Sequence, residues 1–391
     1  MTLLESKSSD TLRSVLFAKV DSVRAALLAG VEASEAGRTL APHSVAALRD
    51  AGLFALKLPA ELGGLEPDPM LQLEILEALS YLDASTGWNV CIGNGAISLT
   101  AYWPDRAIEA MFKDGRIPTM AGVFNPARAV PVPGGLCVNG RWSWASGIRH
   151  AEWVGAHVLV DVGADRPPSS RMIAVPISDV TVHDNWHVAG LKGTGSCDFS
   201  AHDLFVADDF TFELQKLEPK RGGPFYRMGL PGLLINEFMA LNFGVARRAL
   251  DEVINLIKAK QRGYAKQNAV ADRGVVQRAI GEGDLKLRAA RALAMEILED
   301  AWATVCSGGR PSMTQQVDMR AITVLSSQTA VEIAAQAVHY GGGQAIFLDH
   351  VLQRCLRDLQ TSAVHLFVSD IAFEQRGQLL LGREVSDPLS G

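Results

Sequence analysis

The sequence predicts a mainly α protein with a central β-domain, and three observations carry that expectation. Apolar residues recur at three- and four-residue steps up to about residue 125, and again from about 231 to 382. Short β-rich runs with turn residues between them fill roughly 126–215. Proline and glycine punctuate the borders of these stretches. The expected organisation is a helical domain over 1–125, a β-barrel or sandwich over 126–215 and a C-terminal four-helix bundle over 216–391.

In the first part, Leu12, Val15, Leu16, Val20, Val23 and Leu27 mark one helix face. Pro42 opens a second helix through Ala46, Ala47 and Leu48, and Gly52 closes it. Asp68-Pro69 begins a third, with Leu71, Leu73, Ile75, Leu76 and Leu79 as its apolar face. The uncharged run from Ala84 to Pro104 is long enough to span a bilayer. Its Gly87, Asn89, Gly93, Asn94 and Gly95 make it too polar for lipid, so it reads as buried helix beside a ligand.

Four β-rich runs follow: Val154 to Val160, Met172 to Val175, Val180 to Val182 and Leu204 to Val206. Gly134-Gly135, Asn139-Gly140 and Pro167-Pro168 are turn signals. With no long helix between strands, antiparallel pairing is expected. In the third part, Leu233, Leu234, Phe238, Leu241, Val245, Leu250, Val253 and Leu256 trace one long helix. Further helices are expected over 273–305, 314–340 and 346–381, broken at Gly308-Gly309 and Gly341-Gly342-Gly343, which makes an up-and-down bundle.

A net charge of -6 gives no long-range attraction for nucleic acid or an anionic membrane. Five cysteines without a CxxC pair suggest reduced thiols in a cytoplasmic protein, and no secretory signal is visible at the start. No GxGxxG follows a predicted strand, and no P-loop, HExxH or GxSxG is present. His183 and His187 are four apart in a β-rich stretch, where that spacing makes no helical metal pair, so no metal site is expected.

Four segments then bear a resemblance. Gly140-Arg141-Trp142-Ser143-Trp144-Ala145-Ser146-Gly147 resembles the β-domain motif of the acyl-CoA dehydrogenase superfamily, with the Ser-Gly ending of its flavin monooxygenase branch. Leu191 to Ser196 followed by Asp203-Leu204-Phe205-Val206 resembles that branch's second motif. Tyr340-Gly341-Gly342-Gly343 with Leu356-Arg357-Asp358 is a third match. Gln261-Arg262-Gly263-Tyr264 resembles the arginine that reaches flavin across a subunit interface. The set implies an acyl-CoA dehydrogenase-like fold.

In that family a glutamate base removes the substrate's α-proton. The position nine residues after Arg357 holds Leu366, and the alternative position ten residues before Gly244 holds Leu234. Leucine accepts no proton, and a missing base costs roughly 100- to 10,000-fold in rate. Glu237, one turn from Leu234, is expected on another face or paired with a cation. Beside Leu366 stands His365, which resembles the active-site histidine of two-component hydroxylases such as p-hydroxyphenylacetate hydroxylase and dibenzothiophene monooxygenase.

The resemblance therefore implies an oxygenase component that takes reduced FMN (or FAD) from a separate reductase. With O2 it forms a C4a-hydroperoxide and oxygenates a small aromatic or heteroaromatic substrate. Ser146 is the candidate acceptor for the flavin N5–H, and His365, titrating near neutrality, the candidate acid–base group. Trp144, Gly147, Thr194, Gly195, Ser196, Arg262, Gly342 and Gly343 are candidates for holding the cofactor. Trp144 either stacks on flavin or fills the barrel. Trp88, Ile92, His150 and Phe367 are candidates for the substrate pocket, with ordinary core packing as the alternative reading. Trp153 and His187 are weaker candidates for that pocket, with a structural role as the favoured reading. A homotetramer through the C-terminal bundle is implied. The competing classes are an acyl-CoA dehydrogenase or oxidase with another base, and a non-catalytic flavin-binding protein.

Overall fold

The computed structural model describes residues 3–163, 167–259 and 269–385. Its helices are α1 (Leu3–Gly37), α2 (Pro42–Asp50), α3 (Pro69–Leu82), α4 (Ala84–Ser98) and α5 (Asp105–Met111). The strands β1 (Met120–Val132), β2 (Gly135–Ala145), β3 (Trp153–Val160), β4 (Ser169–Pro176), β5 (Thr181–Val182), β6 (Cys197–Ala207) and β7 (Thr211–Glu213) follow. Then come α6 (Asn236–Ala259), α7 (Gly274–Cys306), α8 (Met313–Gly341), α9 (Val351–Ser362) and α10 (Ile371–Leu380).

These elements form two compact units. The first comprises Met1–Asp68, Trp88–His187 and Lys192–Gly229, and the second Pro69–Gly87, Val188–Leu191 and Leu230–Gly391. In the first, all seven strands make one sheet in the order β5-β6-β2-β1-β3-β4-β7. The expected antiparallel pairing holds except between β1 and β3, which are parallel. The hairpin explains the exception. Gly134, at φ +80°, turns the chain so that β2 returns it to the end where β1 began. A strand laid on the other side of β1 then starts from that end. The sheet core is aliphatic, with Val138, Val154 and Val158 fully buried, and Trp142 stacks on Phe199 at 4.9 Å.

The second unit is a helix bundle in which α6 and α7 both pack on α8, and α9 and α10 add to the α8 face. Helix α3 crosses α6 at Gly244, where a Cβ would stand 2.4 Å from the Glu77 carbonyl oxygen, so only glycine permits this approach. Ser312 opens α8 with a capping box: its hydroxyl accepts the Gln315 N–H, and the Gln315 side chain accepts the Ser312 N–H.

Two expectations about helices are corrected. The long helix is preceded by a π-turn, Pro231–Ile235, and becomes regular only at α6. The stretch 346–381 is not one helix but α9 and α10, separated by turns over 363–370. The cause lies in His365, whose ring Nδ1 accepts the Phe367 N–H at 3.2 Å and so replaces the helical carbonyl acceptor.

Candidate active site

In the first unit, the end of β2 builds a buried polar cluster. Trp144 adopts φ +66° and Gly147 φ +77°, which curls the chain and turns Ser146 inward. The Ser146 hydroxyl accepts the Trp88 indole N–H from α4 at 2.8 Å. It lies 2.6 Å from the Ser196 hydroxyl, which lies 2.6 Å from that of Thr194. All four side chains are buried. Backbone bonds fix the arrangement: Gly147 N–H donates to the Thr194 carbonyl at 2.9 Å, and Asn89 Nδ2 donates to the Gly193 carbonyl. Gly195 needs its φ of +55° to hold the Thr194–Ser196 corner, and a Cβ there would meet the Arg38 carbonyl at 3.1 Å.

Six expected site residues, Trp88, Ser146, Gly147, Thr194, Gly195 and Ser196, thus converge. Ser196 and Thr194 contribute their hydroxyls to this cluster, and Asn89, read from the sequence only as a polar residue of the uncharged run, ties α4 to the Gly193 carbonyl. Trp144 does not fill the sheet core: its indole is 68% exposed, because the positive φ throws the side chain outward.

His150 sits beside Gly147, with its ring 5.8 Å from Phe54. Burial, and then the charge of Arg49, push it down to about 4, so it is neutral at pH 7. Arg149 on the same loop and Arg38 after α1 both grip Asp184, and the Arg38 bonds, ahead of those from Arg149, hold that carboxylate down to about 2. His187 lies 3.1 Å from Arg38, and Trp153 stacks on Phe210. Ile92, one turn after Trp88, is partly exposed.

In the second unit, His365 occupies the turn after α9 and is half-buried, flanked by Phe238 at 4.5 Å and Phe367 at 5.3 Å between ring centroids. Phe238 was missed because it is one residue of an apolar helix stripe. Burial lowers His365 to about 4. The expectation of titration near neutrality is therefore corrected: the imidazole is neutral at pH 7. With Nδ1 accepting from Phe367, its proton sits on Nε2, which makes that nitrogen a donor.

Leu366 is exposed and Leu234 buried, and both dehydrogenase base positions thus remain without a carboxylate. Glu237, in the first turn of α6, is buried. Arg357 and Asp358 hold the segment Val188–Leu191: Arg357 Nε donates to the Ala189 carbonyl at 3.0 Å, and Leu191 N–H donates to Asp358. Gly342 ends α8 at φ +68°, and Gly343 faces open space. Gly341 is tight against Leu352 for packing reasons. Arg262 lies outside the described residues. Among the described residues there is no cluster of metal ligands, and no helix is long and apolar enough to cross a membrane.

A central sheet joined to a bundle of long helices, with a buried hydroxyl at the end of β2, defines an acyl-CoA dehydrogenase-like architecture. Residues 238–370 match the family described as acyl-CoA dehydrogenase, C-terminal domain. A pigment production hydroxylase of Rhodococcus sp. (strain ATCC 21145) is 30% identical over 394 residues, covering 97% of this chain and 100% of that one. Indole-3-acetate monooxygenase of Pseudomonas putida is 29% identical over 355 residues, covering 90% of each. The fold matches XiaF from Streptomyces sp., solved in complex with FADH2 and glycerol, with a TM-score of 0.89, 24% identity and complete coverage of both chains. The chain belongs to the acyl-CoA dehydrogenase superfamily, in its flavin-dependent monooxygenase branch.

The residues present fit a reduced flavin. Ser146 offers a buried hydroxyl already polarised by an indole, and Gly147 and Gly195 keep the surrounding corners free of side chains.

Proposed function

We propose that this chain is the oxygenase component of a two-component system that takes reduced FMN or FAD from a separate reductase and oxygenates a small aromatic or heteroaromatic compound. The bound flavin supplies O2 activation and transfer of one oxygen atom, the other leaving as water. In this reading Ser146 accepts a hydrogen bond from the proton-bearing nitrogen of the reduced ring and keeps that proton in place. His365 donates through Nε2 to the oxygen under transfer, as a neutral hydrogen-bond donor with no proton to lose near pH 7. Phe238 and Phe367 give the histidine an aromatic, water-poor setting suited to an aromatic substrate. Trp144, Thr194, Gly195, Gly342, Gly343 and Arg262 hold the cofactor, and Trp88, Ile92 and His150 belong to the substrate pocket.

The observation that carries the reading is the Ser146 hydroxyl, buried and held by Trp88, in a chain whose two base positions are leucine. The domain division at about 125 and 215 stands as part of the proposal. Five widely spaced cysteines without a CxxC pair support a cytoplasmic setting. Exposed Ile346, Phe347, Leu348, Leu380 and Leu381 support a homotetramer through the helical bundle.

The test mixes the protein anaerobically with reduced FMN or FAD and a panel of phenols and indoles, then adds isotopically labelled O2. One labelled atom in the product is expected, with Ser146→Ala diverting most of the O2 to H2O2. Quantitative H2O2 release by the wild type across the panel, or reduction of its bound flavin by an acyl-CoA, sinks the assignment. The second outcome would direct attention to buried Glu237.

A further inference from the structure

The Ser146, Ser196 and Thr194 hydroxyls stand in one buried row with 2.6 Å between neighbours, closed at one end by the Trp88 indole at 2.8 Å. An indole N–H only donates, whereas each hydroxyl has one proton and two lone pairs. One lone pair of Ser146 is therefore committed to Trp88. The contact with Ser196 takes either the remaining lone pair or the proton, and whichever is left faces outward.

Two arrangements follow. In one, Ser146 donates to Ser196 and Ser196 to Thr194, so Ser146 presents a lone pair. In the other, all three hydroxyls turn round: Thr194 donates to Ser196, Ser196 to Ser146, and Ser146 presents its proton. Every proton stays on its own oxygen, and no heavy atom needs to move.

We propose that this row is a two-way hydrogen-bond switch that lets Ser146 accept from the N5–H of a reduced flavin and donate to the bare N5 of an oxidised one. The inference rests on the reading that puts Ser146 opposite that nitrogen. It assigns Ser196 and Thr194 as positioning residues, and Trp88 as the group that leaves Ser146 a single outward-facing valence.

The asymmetry of unpaired groups makes the switch testable. Without the Ser196 oxygen, an accepting Ser146 must bury its own proton without a partner. A donating Ser146 leaves only a lone pair empty, which costs less. Ser196→Ala is therefore expected to weaken reduced FMN about tenfold, while oxidised FMN changes by no more than about threefold. Ser196→Thr keeps the hydroxyl and restores the wild-type ratio. Thr194→Val removes the far acceptor and shifts the ratio the same way.

The experiment measures the affinity of the full chain for oxidised FMN and for dithionite-reduced FMN under anaerobic conditions. In parallel, the exchange rate of the Trp88 indole proton is followed by NMR without flavin. That signal is expected to stay protected in Ser196→Ala and to be lost in Ser146→Ala. If Ser196→Ala does not fold, Thr194→Val and its Ser rescue decide. Equal weakening of both flavin states, failure of the threonine rescue, or a wild type that binds neither form overturns the switch. A wild type that shows the expected ratio yet yields only H2O2 instead overturns the monooxygenase reading.

Discussion

The Asp358 carboxylate accepts the Leu191 N–H at 2.6 Å, and this bond holds a buried leucine at φ +51°, in the left-handed region that β-carbon-bearing residues rarely occupy. The neighbouring Gly190 lies so close that a Cβ would stand 2.1 Å from the Arg357 carbonyl oxygen. The Arg-Asp pair thus works as a clasp on the loop that precedes the Thr194–Ser196 corner in sequence. Asp358→Ala removes a charge-assisted bond and is expected to cost about 1.5–3 kcal/mol, read as a lower midpoint in urea unfolding. An unchanged midpoint would mean that the clasp contributes nothing.

Gly244 makes a sharper case for close packing. A methyl group there must push α3 off α6, because its nearest neighbours are the Glu77 carbonyl, the Ser80 Cβ and the Tyr81 nitrogen. Gly244→Ala is expected to destabilise by about 1–3 kcal/mol, although alanine is the better helix former. A stabilised variant in thermal unfolding would contradict the tight crossing.

His365 sets a pH dependence whose sign follows from burial. Its folded-state value, about 4, lies below the ordinary 6.5. Between those values the unfolded chain binds a proton that the folded chain refuses, so stability is full above about pH 6.5 and is lost as the pH falls toward 4. Half-buried His150, also at about 4, acts in the same direction. His365→Ala is expected to flatten part of that slope and, by removing the Nε2 donor, to lower oxygenation by about 100-fold at pH 7. An acid limb of wild-type activity centred near 6.5 and abolished by the substitution would show an imidazolium at work instead.

Ser312 tests a local rule. Ser312→Ala removes the hydroxyl half of the α8 capping box and should cost about 1 kcal/mol in chemical unfolding. Ser312→Thr should restore most of it.

The order of helices, sheet and bundle was legible because Gly134, Pro42, Pro69 and Gly342 mark real turns and helix ends, and because the apolar periods are long. Ser146 was legible only through resemblance to a family motif. The hydroxyl row was not, since Trp88, Ser146 and Ser196 come from three distant parts of the chain and each is an ordinary residue in its own stretch. The break at His365 was hidden for another reason: its surroundings read as apolar helix, and the ring's capture of the Phe367 N–H leaves no periodic trace. The parallel pairing of β1 with β3 escaped because Met120–Val132, interrupted by Asn125 and Pro126, does not stand out as a β-rich run, and strand composition does not encode direction.

The second unit is assembled from an early segment, Pro69–Gly87, and a late one beginning at Leu230. A ribosome therefore releases α3 with the face that packs on α6 uncovered, and α6 emerges only after the entire sheet has been made. During synthesis that face is a natural landing place for a chaperone, and a nascent chain stalled before Asn236 would be prone to aggregate.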